Sequence, residues 1–397
     1  MTYPRAYLLM FSLAFLQATS SFMVSPVLPL YAQMLGATGV LVGFIISGYF
    51  ISKAFAELPS GMIGDRIGRR TPMLIGLLVS MSGFLACAIS RDPYQLMFGR
   101  MLGGFGGGLF FCTSMTLVTE LFDASTRGRA LGMYMSVEFI AGFVGPIAGG
   151  FVANLAGFAN TFYVCLAIVF PTFLLALSSS DLKRKTPRKV VSRSPRPVSY
   201  VGLRNFTLAA VSLVAFLRVF DEQGVMNTIL PVYASRFLGM DVALIGILMG
   251  AKAAGYVFAA VVAGFMCDKV GRKKTLLIGI VMTSGAICLF GISTRFESLM
   301  VFSALAGAGS GMTMIPLPAL AVESVPHSLR GTAIGMFRTL FDMGAVVGPV
   351  SLTFILGLAG PTTCFYVTSA AILSGALPVA LIREKRSSMI SSLEIEQ

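Results

Sequence analysis

The chain has 397 residues, of which 56% are hydrophobic and 12% are charged, and its formal net charge is +13. A soluble protein carries about 25% charged residues, because its surface has to face water. This composition excludes an ordinary soluble protein and predicts a surface that faces lipid.

Apolar stretches recur along the whole chain, and each is long enough to cross a hydrocarbon core of about 30 Å. The first stretch is too long for a signal peptide, and another follows within a few residues. We number the predicted transmembrane helices as spans 1 to 12. They cover 7–32, 40–63, 71–90, 94–119, 129–153, 160–180, 205–234, 242–266, 274–293, 298–322, 331–357 and 361–382.

A polar segment divides the twelve spans into two sets of six. Residues 1–180 and 205–382 are predicted to form two six-helix bundles, and residues 383–397 form a tail. The dividing segment, 181–204, is rich in Lys, Arg, Pro and Ser, so we expect a solvated linker without a domain of its own. The expected fold is therefore an all-α membrane protein built from two six-helix bundles.

The two halves repeat at a constant offset of 203 residues. Because each half has six spans, both run in the same direction, which predicts a parallel repeat of two bundles. The matched positions include rare charged residues, so chance agreement is very improbable. They pair Gly61, Asp65, Gly68, Arg69 and Arg70 with Gly264, Asp268, Gly271, Arg272 and Lys273, and Glu120 and Arg127 with Glu323 and Arg330.

Basic residues lie mostly on one side of the predicted membrane. If both termini are cytoplasmic, the inside segments hold 22 Lys and Arg residues, whereas the outside loops hold three. The positive-inside rule therefore predicts a multi-pass protein of a bacterial or archaeal cell membrane with both termini in the cytoplasm. The positive net charge is explained by the Lys and Arg residues that set the orientation in the membrane, so no nucleic-acid partner is expected.

The sequence offers no pattern that indicates an enzyme. Its six cysteines are scattered singly, and its one histidine, His327, lies in a short polar loop. We find no nucleophile–base set, no metal-ligand spacing and no phosphate-binding loop. We therefore expect no catalytic activity, no cofactor, no metal and no ATP-driven step.

Four segments carry a family resemblance. Residues 61–70 read Gly-Met-Ile-Gly-Asp-Arg-Ile-Gly-Arg-Arg, and a second copy covers 264–273. Span 4 holds Arg100 within 96–104, span 5 is rich in glycine over 142–150, and span 1 ends in Pro-Val-Leu-Pro-Leu-Tyr. These segments resemble motifs A, B and C of the major facilitator superfamily and a segment of its twelve-helix drug:proton antiporters. The resemblance covers nearly the whole chain and implies solute transport by alternating access.

By this resemblance, motif A and its copy stabilise one access state. The residues that match are Gly61, Asp65, Arg66, Gly68 and Arg69, with Asp268 and Arg272 in the copy. Asp65 is expected near the start of span 3, where a carboxylate meets a positive helix end. The alternative is a charged loop that only obeys the positive-inside rule.

Small residues in spans 4 and 5 are expected to permit close helix contact, and a proline there to permit bending. The positions are Gly104, Gly108, Gly145, Pro146 and Gly149. Packing alone explains these residues as well as a role in transport does.

Ionisable residues deep in a span are costly and usually functional. Ten lie there: Lys53, Glu57, Arg100, Glu138, Arg218, Asp221, Glu222, Lys252, Arg338 and Asp342. Spans 2 and 11 face each other in the family, and four of these residues lie at matched depths on them. Lys53 and Glu57 with Arg338 and Asp342 are therefore predicted to pair across a cytoplasmic gate when it closes and within each helix when it opens. Local pairing without a gating role is the alternative.

Proton coupling needs a carboxylate whose protonation changes with its surroundings. Asp221 and Glu222, beside Arg218 in span 7, are the first candidates, and Glu138 is the second; the resemblance adds Arg100, which would tune a carboxylate. A structural salt bridge is the competing interpretation for span 7. Glu138 and Lys252 lie at similar depth on spans 5 and 8, which face each other in the family, so the two residues are expected to pair or to bind substrate.

The predicted cavity is otherwise apolar. The chain has 32 Phe and 23 Met residues, and Met adapts to varied ligands. Gln17, Asn227 and Lys252 are the candidate polar residues of this cavity. The predicted function is a monomeric proton-coupled antiporter, surrounded by membrane lipid, that exports drug-like or amphiphilic small molecules. The alternatives are a carrier of metabolites or organic anions and, from another class, a non-transporting membrane sensor.

Overall fold

A computed structural model of the chain describes residues 5–179, 205–326 and 329–382. The predicted linker at 181–204, the tail at 383–397 and His327 lie outside the described residues. So do the surroundings of Gly61 and the side chain of Asp65.

The first half forms spans 1 to 6. Span 1 is interrupted by a short turn that contains Pro26, and the other five spans are single helices. The helices are Arg5–Met23 and Leu28–Met34 in span 1, then Val40–Ile67, Arg70–Ala88, Pro93–Leu121, Ala124–Ala156 and Phe158–Ser178.

The second half forms spans 7 to 12. Span 7 is divided into Phe206–Asp221, a π-helix at Glu222–Ile229, Leu230–Val232 and a second π-helix at Tyr233–Phe237. Span 8 is Val242–Lys269, span 9 is Arg272–Phe290, and span 10 joins Phe296–Met314 to Pro316–Glu323. Spans 11 and 12 run through Arg330–Ser374, with a non-helical Gly360 between them, and end in Ala376–Ala380.

Among the described residues, ten helices are long and apolar enough to cross a membrane. The helix Arg330–Ser374 covers two crossings, and span 7 is too divided to be one of the ten. The twelve predicted crossings are thus accounted for, and the expected two-bundle all-α membrane fold is confirmed. The boundary of span 2 changes one expectation about a site residue: the helix continues to Ile67, so Asp65 lies in its last turn rather than near the start of span 3.

The repeat extends from the sequence to individual contacts. The Arg70 guanidinium donates to the Leu177 carbonyl, and the Lys273 ammonium donates to the Ala380 carbonyl, 203 residues further on. Each basic side chain thereby satisfies a carbonyl near the end of the sixth span of its half, where helical carbonyls lack partners.

Close helix packing repeats in the same way. A Cβ added to Gly104 of span 4 would strike the Tyr49 carbonyl of span 2. A Cβ added to Gly307 of span 10 would strike the Lys252 carbonyl of span 8, at the matching position. The two helix pairs touch backbone to backbone, and only glycine permits that approach.

The two halves touch at the end of the molecule opposite the junction of spans 2 and 3. The end of the molecule that contains this junction, between Ile67 and Arg70, is called the basic end below. At the opposite end, Gly43 of span 2 lies against Pro349 and Thr353 of span 11. The Ser47 hydroxyl also donates to the Val346 carbonyl at 2.6 Å.

Spans 5 and 8 make the second contact between the halves at this opposite end. A Cβ on Gly246 would strike the Pro146 carbonyl, and one on Gly150 would lie 2.6 Å from the Val242 carbonyl. Nearer the basic end, a Cβ on Gly132 or Gly264 would meet nothing within 4 Å. Among the side chains that the structure describes, which do not include Asp65, no ion pair joins the two halves. The halves are therefore closed at the opposite end and parted at the basic end.

Candidate functional site

The densest group of buried charges lies in the second half, between spans 7, 8 and 10. The Glu222 carboxylate forms ion pairs with Lys252 of span 8 and, at 3.7 Å, with Arg218 one turn earlier in its own helix. The Arg218 guanidinium also donates to the Ser310 hydroxyl of span 10 at 3.1 Å. The side chains of Arg218 and Lys252 are 11% and 10% exposed, so these charges are largely removed from water.

Asp221 lies beside this group but does not share its pairing. Its side chain is 2% exposed, and its Oδ1 atom has no hydrogen-bond partner among the described residues. Adjacent residues on a helix differ by about 100° in direction, so Asp221 and Glu222 point to different surroundings. One carboxylate has two cations, whereas the other is buried with an unsatisfied oxygen.

The local shape of span 7 sets this arrangement. The α-helix ends at Asp221, and a π-helix begins at Glu222. The wider π turn leaves a carbonyl for a side chain to satisfy, and the Thr228 hydroxyl donates to the Gln223 carbonyl at 2.6 Å. Such π segments occur often at functional sites.

Two predicted cavity residues are occupied by neighbours. The Asn227 amide donates to the Gln223 side-chain oxygen at 2.8 Å within the π-helix. Gln17 is 1% exposed and donates to the Ser80 hydroxyl at 3.2 Å, inside the first half. In this conformation both residues bridge protein groups, and their predicted contact with substrate stays a prediction.

The expected pair between Glu138 and Lys252 does not form. Lys252 pairs instead with Glu222 of span 7. Glu138 is exposed and makes no ion pair among the described residues. It interacts electrostatically with Lys53 of span 2 and with Tyr256 of span 8. The sequence predicted the depth of Lys252 along its helix, but its partner depends on the direction in which the side chain points around that helix.

The four residues of the predicted gate are only partly paired. Lys53 and Glu57 form an ion pair at 3.8 Å within span 2, as expected for an open gate. Arg338 and Asp342 of span 11 do not pair; the Arg338 guanidinium lies 5.9 Å from the centre of the Phe341 ring. The gate stays a prediction.

Arg100 lies in the interior of the first half. Its guanidinium is 4.6 Å from the centre of the Tyr49 ring, and its Nε atom has no hydrogen-bond partner among the described residues. Its electrostatic partners are Tyr49, Cys87 and Cys165, and no carboxylate is among them. A role in tuning a carboxylate would need a different arrangement from this one.

The motif A segments form matched ion pairs at the basic end. The Arg69 guanidinium contacts the Glu120 carboxylate at 2.8 Å, and Arg272 pairs with Glu323 in the second half. Gly68 takes a φ of 88°, which suits a residue without a side chain. Arg66 and Asp268 are exposed. These pairs join spans within one half, so they are compatible with halves that are parted.

The packing residues of spans 4 and 5 make close contacts. A Cβ added to Gly108 would lie 2.7 Å from the Lys53 carbonyl, and one on Gly145 would lie 2.9 Å from the Thr19 carbonyl. A Cβ on Gly149 would strike the Met23 carbonyl of span 1. Pro146 lies within the uninterrupted helix Ala124–Ala156.

Two aromatic residues near the site were not predicted. The rings of Phe139 in span 5 and Tyr256 in span 8 are 5.1 Å apart and join the two halves. The 203-residue offset could have found them, since it matches Tyr256 with Lys53 and Phe139 with Asp342. Among the described residues, no group of His, Cys, Asp and Glu could hold a metal ion.

Comparison with known proteins gives consistent results along the chain. A sequence model of the Major Facilitator Superfamily matches residues 10–220 and 211–396. The multidrug resistance protein MdtG of Klebsiella pneumoniae is 26% identical over 372 residues, covering 91% of this chain and 90% of the relative. An uncharacterised MFS-type transporter of Methanocaldococcus jannaschii is 23% identical over 346 residues, covering 85% and 87%.

Solved structures share the fold at low sequence identity. The structure of a POT family transporter superimposes with a TM-score of 0.78 at 14% identity, over 100% of this chain and 97% of that chain. A D-xylose-proton symporter gives a TM-score of 0.76 at 15% identity, over 96% and 97%. At such low identity these structures show the fold of the chain and do not indicate its substrate.

Proposed function

Because the chain belongs to the Major Facilitator Superfamily, a family of multi-pass membrane transporters, we propose that it is a proton-coupled antiporter that exports drug-like amphiphilic molecules. The relatives named as multidrug resistance proteins, at 24–26% identity, support the substrate class. The observation that carries proton coupling is the group of Asp221 and Glu222 with Arg218 and Lys252.

Two adjacent carboxylates in different surroundings suit a proton carrier. Burial favours the neutral form of a carboxyl group, whereas a nearby cation favours its anion. Glu222 has both cations in the present arrangement, so we assign the transported proton to Asp221. A rearrangement that moves Arg218 or Lys252 from Glu222 toward Asp221 would favour the Asp221 anion and release the proton.

The parted basic end supports the direction of access. With the basic end in the cytoplasm of the cell, as the distribution of Lys and Arg predicts, this conformation faces inward. The contacts of spans 2 and 11 and of spans 5 and 8 then close the outer side. In alternating access these contacts open while the basic end closes, and the protein works as a monomer within the lipid bilayer.

Proton flux in liposomes tests the proposal. Purified protein would be placed in liposomes with a pH-sensitive dye and an imposed proton gradient, and lipophilic cations, neutral drugs and organic anions added in turn. We expect cations or neutral drugs to trigger proton movement in the wild type, and Asp221→Asn to abolish it. Glu297→Gln, which neutralises an exposed carboxylate in the first turn of span 10, should leave the flux unchanged.

Each contrary result has a distinct meaning. Normal drug-driven proton flux in a folded Asp221→Asn variant would show that Asp221 does not carry the transported proton. Absence of flux with every compound, in wild-type protein of normal stability, would contradict the antiporter.

One observation favours a second function, a carrier of organic anions. Arg338 is exposed and makes no ion pair with the described residues. A free guanidinium is suited to bidentate binding of a carboxylate or phosphate. Flux in the same liposomes with organic anions alone, and its loss in Arg338→Gln, would establish this alternative in place of drug export.

A further inference from the structure

Glu138 lies on the face of span 5 that turns away from lipid. The exposed apolar residues Ile140, Val144 and Phe151 mark the lipid-facing side of this helix. Glu138 precedes Ile140 by two residues, and therefore by about 200° around the helix, which places it on the opposite side. Its electrostatic partners Lys53 and Tyr256 come from spans 2 and 8, so its carboxylate faces the space between the halves.

This carboxylate differs from the others in the interior. Glu57 is paired with Lys53, Glu222 is paired with two cations, and Asp221 is buried. Asp342 has no ion pair among the described residues, but it is partly buried. Glu138 is exposed and has no cation within ion-pair distance among the described residues. A charged side chain at this depth has to face a water-filled space, where it is available to a ligand.

Two aromatic rings lie at the same level of the interface as the carboxylate. Phe139 follows Glu138 in span 5, and its ring lies 5.1 Å from that of Tyr256 at an interplanar angle of 47°. Faces of aromatic rings attract organic cations and cover apolar groups at the same time. The Arg218 guanidinium lies 5.9 Å from the centre of the Tyr256 ring, so we assign the rings to the apolar part of a ligand and Glu138 to its charge.

The two interfaces between the halves have different chemistry at this level. The offset of 203 relates Phe139 and Tyr256, between spans 5 and 8, to Asp342 and Lys53, between spans 11 and 2. One interface thus carries two rings where the other carries opposite charges that interact with each other. The first of these offers two rings to the apolar part of an amphiphile, and Glu138 precedes one of them in span 5.

We propose that Glu138, Phe139 and Tyr256 form a subsite for an organic cation with a bulky apolar or aromatic group. The subsite rests on the proposed export function and defines one of its substrate classes. Glu138 neutralises the charge, while the two rings contact the apolar part. Asp221 stays the proton carrier, so binding of the cation and transfer of the proton use different carboxylates.

Binding without a proton gradient tests the subsite. Radiolabelled tetraphenylphosphonium would be measured by equilibrium dialysis against the purified full-length protein. Because the opposite charge is lost, Glu138→Gln should weaken its binding about tenfold or more. Glu138→Asp should recover part of the affinity, and the surface variant Glu297→Gln should match the wild type. Unchanged affinity in Glu138→Gln would overturn the proposal, as would wild-type protein that binds an organic anion but no tetraphenylphosphonium.

A second measurement locates the bound cation. The chain has no Trp, so Phe139→Trp gives the protein a single indole whose emission a bound cation should quench. Phe258→Trp is the matched control, because Phe258 lies two residues from Tyr256 in span 8 and is 73% exposed on the lipid side. Quenching of the Phe139→Trp protein alone supports the subsite; equal quenching of both would show binding from the membrane phase and contradict it.

The proposed subsite and the proposed function can fail separately. Glu138→Gln should still move protons when chloramphenicol, a neutral aromatic drug, is added to the liposomes described above. If Glu138→Gln retains flux with chloramphenicol and its affinity for tetraphenylphosphonium is unchanged, the subsite is refuted and the antiporter proposal stands. Absence of proton flux in the wild type with every compound would refute the antiporter, even if the protein binds tetraphenylphosphonium.

Discussion

The two halves share a frame but differ in the charges that they carry inside it. The frame consists of contacts that recur 203 residues apart, such as Arg69 with Glu120 and Arg272 with Glu323. Inside it, the second half places the partly exposed Glu222 carboxylate between two largely buried cations, whereas the first half places Arg100 on the Tyr49 ring without a carboxylate partner. The repeated contacts therefore serve for packing, while the residues that we propose for function lie at positions where the repeat is broken.

The clearest break lies on spans 2 and 8. Tyr49 and Lys53 of span 2 correspond to Lys252 and Tyr256 of span 8, so the order of ring and cation is reversed. The reversal places a cation beside Glu222 in one half and beside Glu57 in the other. The same four positions thus support a buried network on one side and a partly exposed pair on the other.

The largest expected effect concerns the frame, where both halves should respond alike. Gly104→Ala and Gly307→Ala each place a Cβ against a carbonyl of the neighbouring helix, which costs about 1–3 kcal/mol. Gly103→Ala and Gly285→Ala meet nothing within 4 Å, and alanine is the better helix former. The melting temperature in detergent should therefore fall for Gly104→Ala and Gly307→Ala, and it should stay level or rise for Gly103→Ala and Gly285→Ala. Equal melting temperatures in all four would show that backbone contact does not hold these helices together.

A smaller effect should separate the halves at their ion pairs. Glu222→Gln leaves Lys252 and Arg218 in the interior without their carboxylate, and because the Glu222 side chain is 26% exposed the cost should be about 1–2 kcal/mol. Glu57→Gln removes a 3.8 Å pair whose side chains are about one third exposed, and such pairs contribute about 1 kcal/mol or less. The melting temperature should fall clearly more for Glu222→Gln. A larger fall for Glu57→Gln would mean that the charges of span 2 are the more important for stability.

Sequence patterns predicted the frame well and the site less completely. Span positions follow from the sequence because lipid requires long apolar helices, and the offset of 203 revealed the repeat. The partner of Lys252 did not follow, since depth along a helix says nothing of direction around it. The π-helix at Glu222–Ile229 depends on packing against span 11, where Gly224 meets Leu352 and Gly348, and no local pattern signals it.

The aromatic contact between the halves shows the same limit. Phe139 and Tyr256 are two of many aromatic residues in the chain, and composition suggested only an apolar cavity. Their importance depends on the close approach of spans 5 and 8, which no pattern within one span predicts. The repeat supplies the missing signal, because it aligns this pair with the charged pair of Lys53 and Asp342.

The smallest expected effect would sharpen the comparison of the two interfaces between the halves. Spans 2 and 11 carry charges at the level where spans 5 and 8 carry rings, so only the former should respond to exchanged charges. Glu57→Arg should impair drug-driven proton flux, because it places a cation opposite Arg338 when the basic end closes. Adding Arg338→Glu should restore part of that flux, since an opposite pair forms again. Restoration by Arg338→Gln to the same extent would show that removal of repulsion suffices, and no restoration by either would count against pairing across spans 2 and 11.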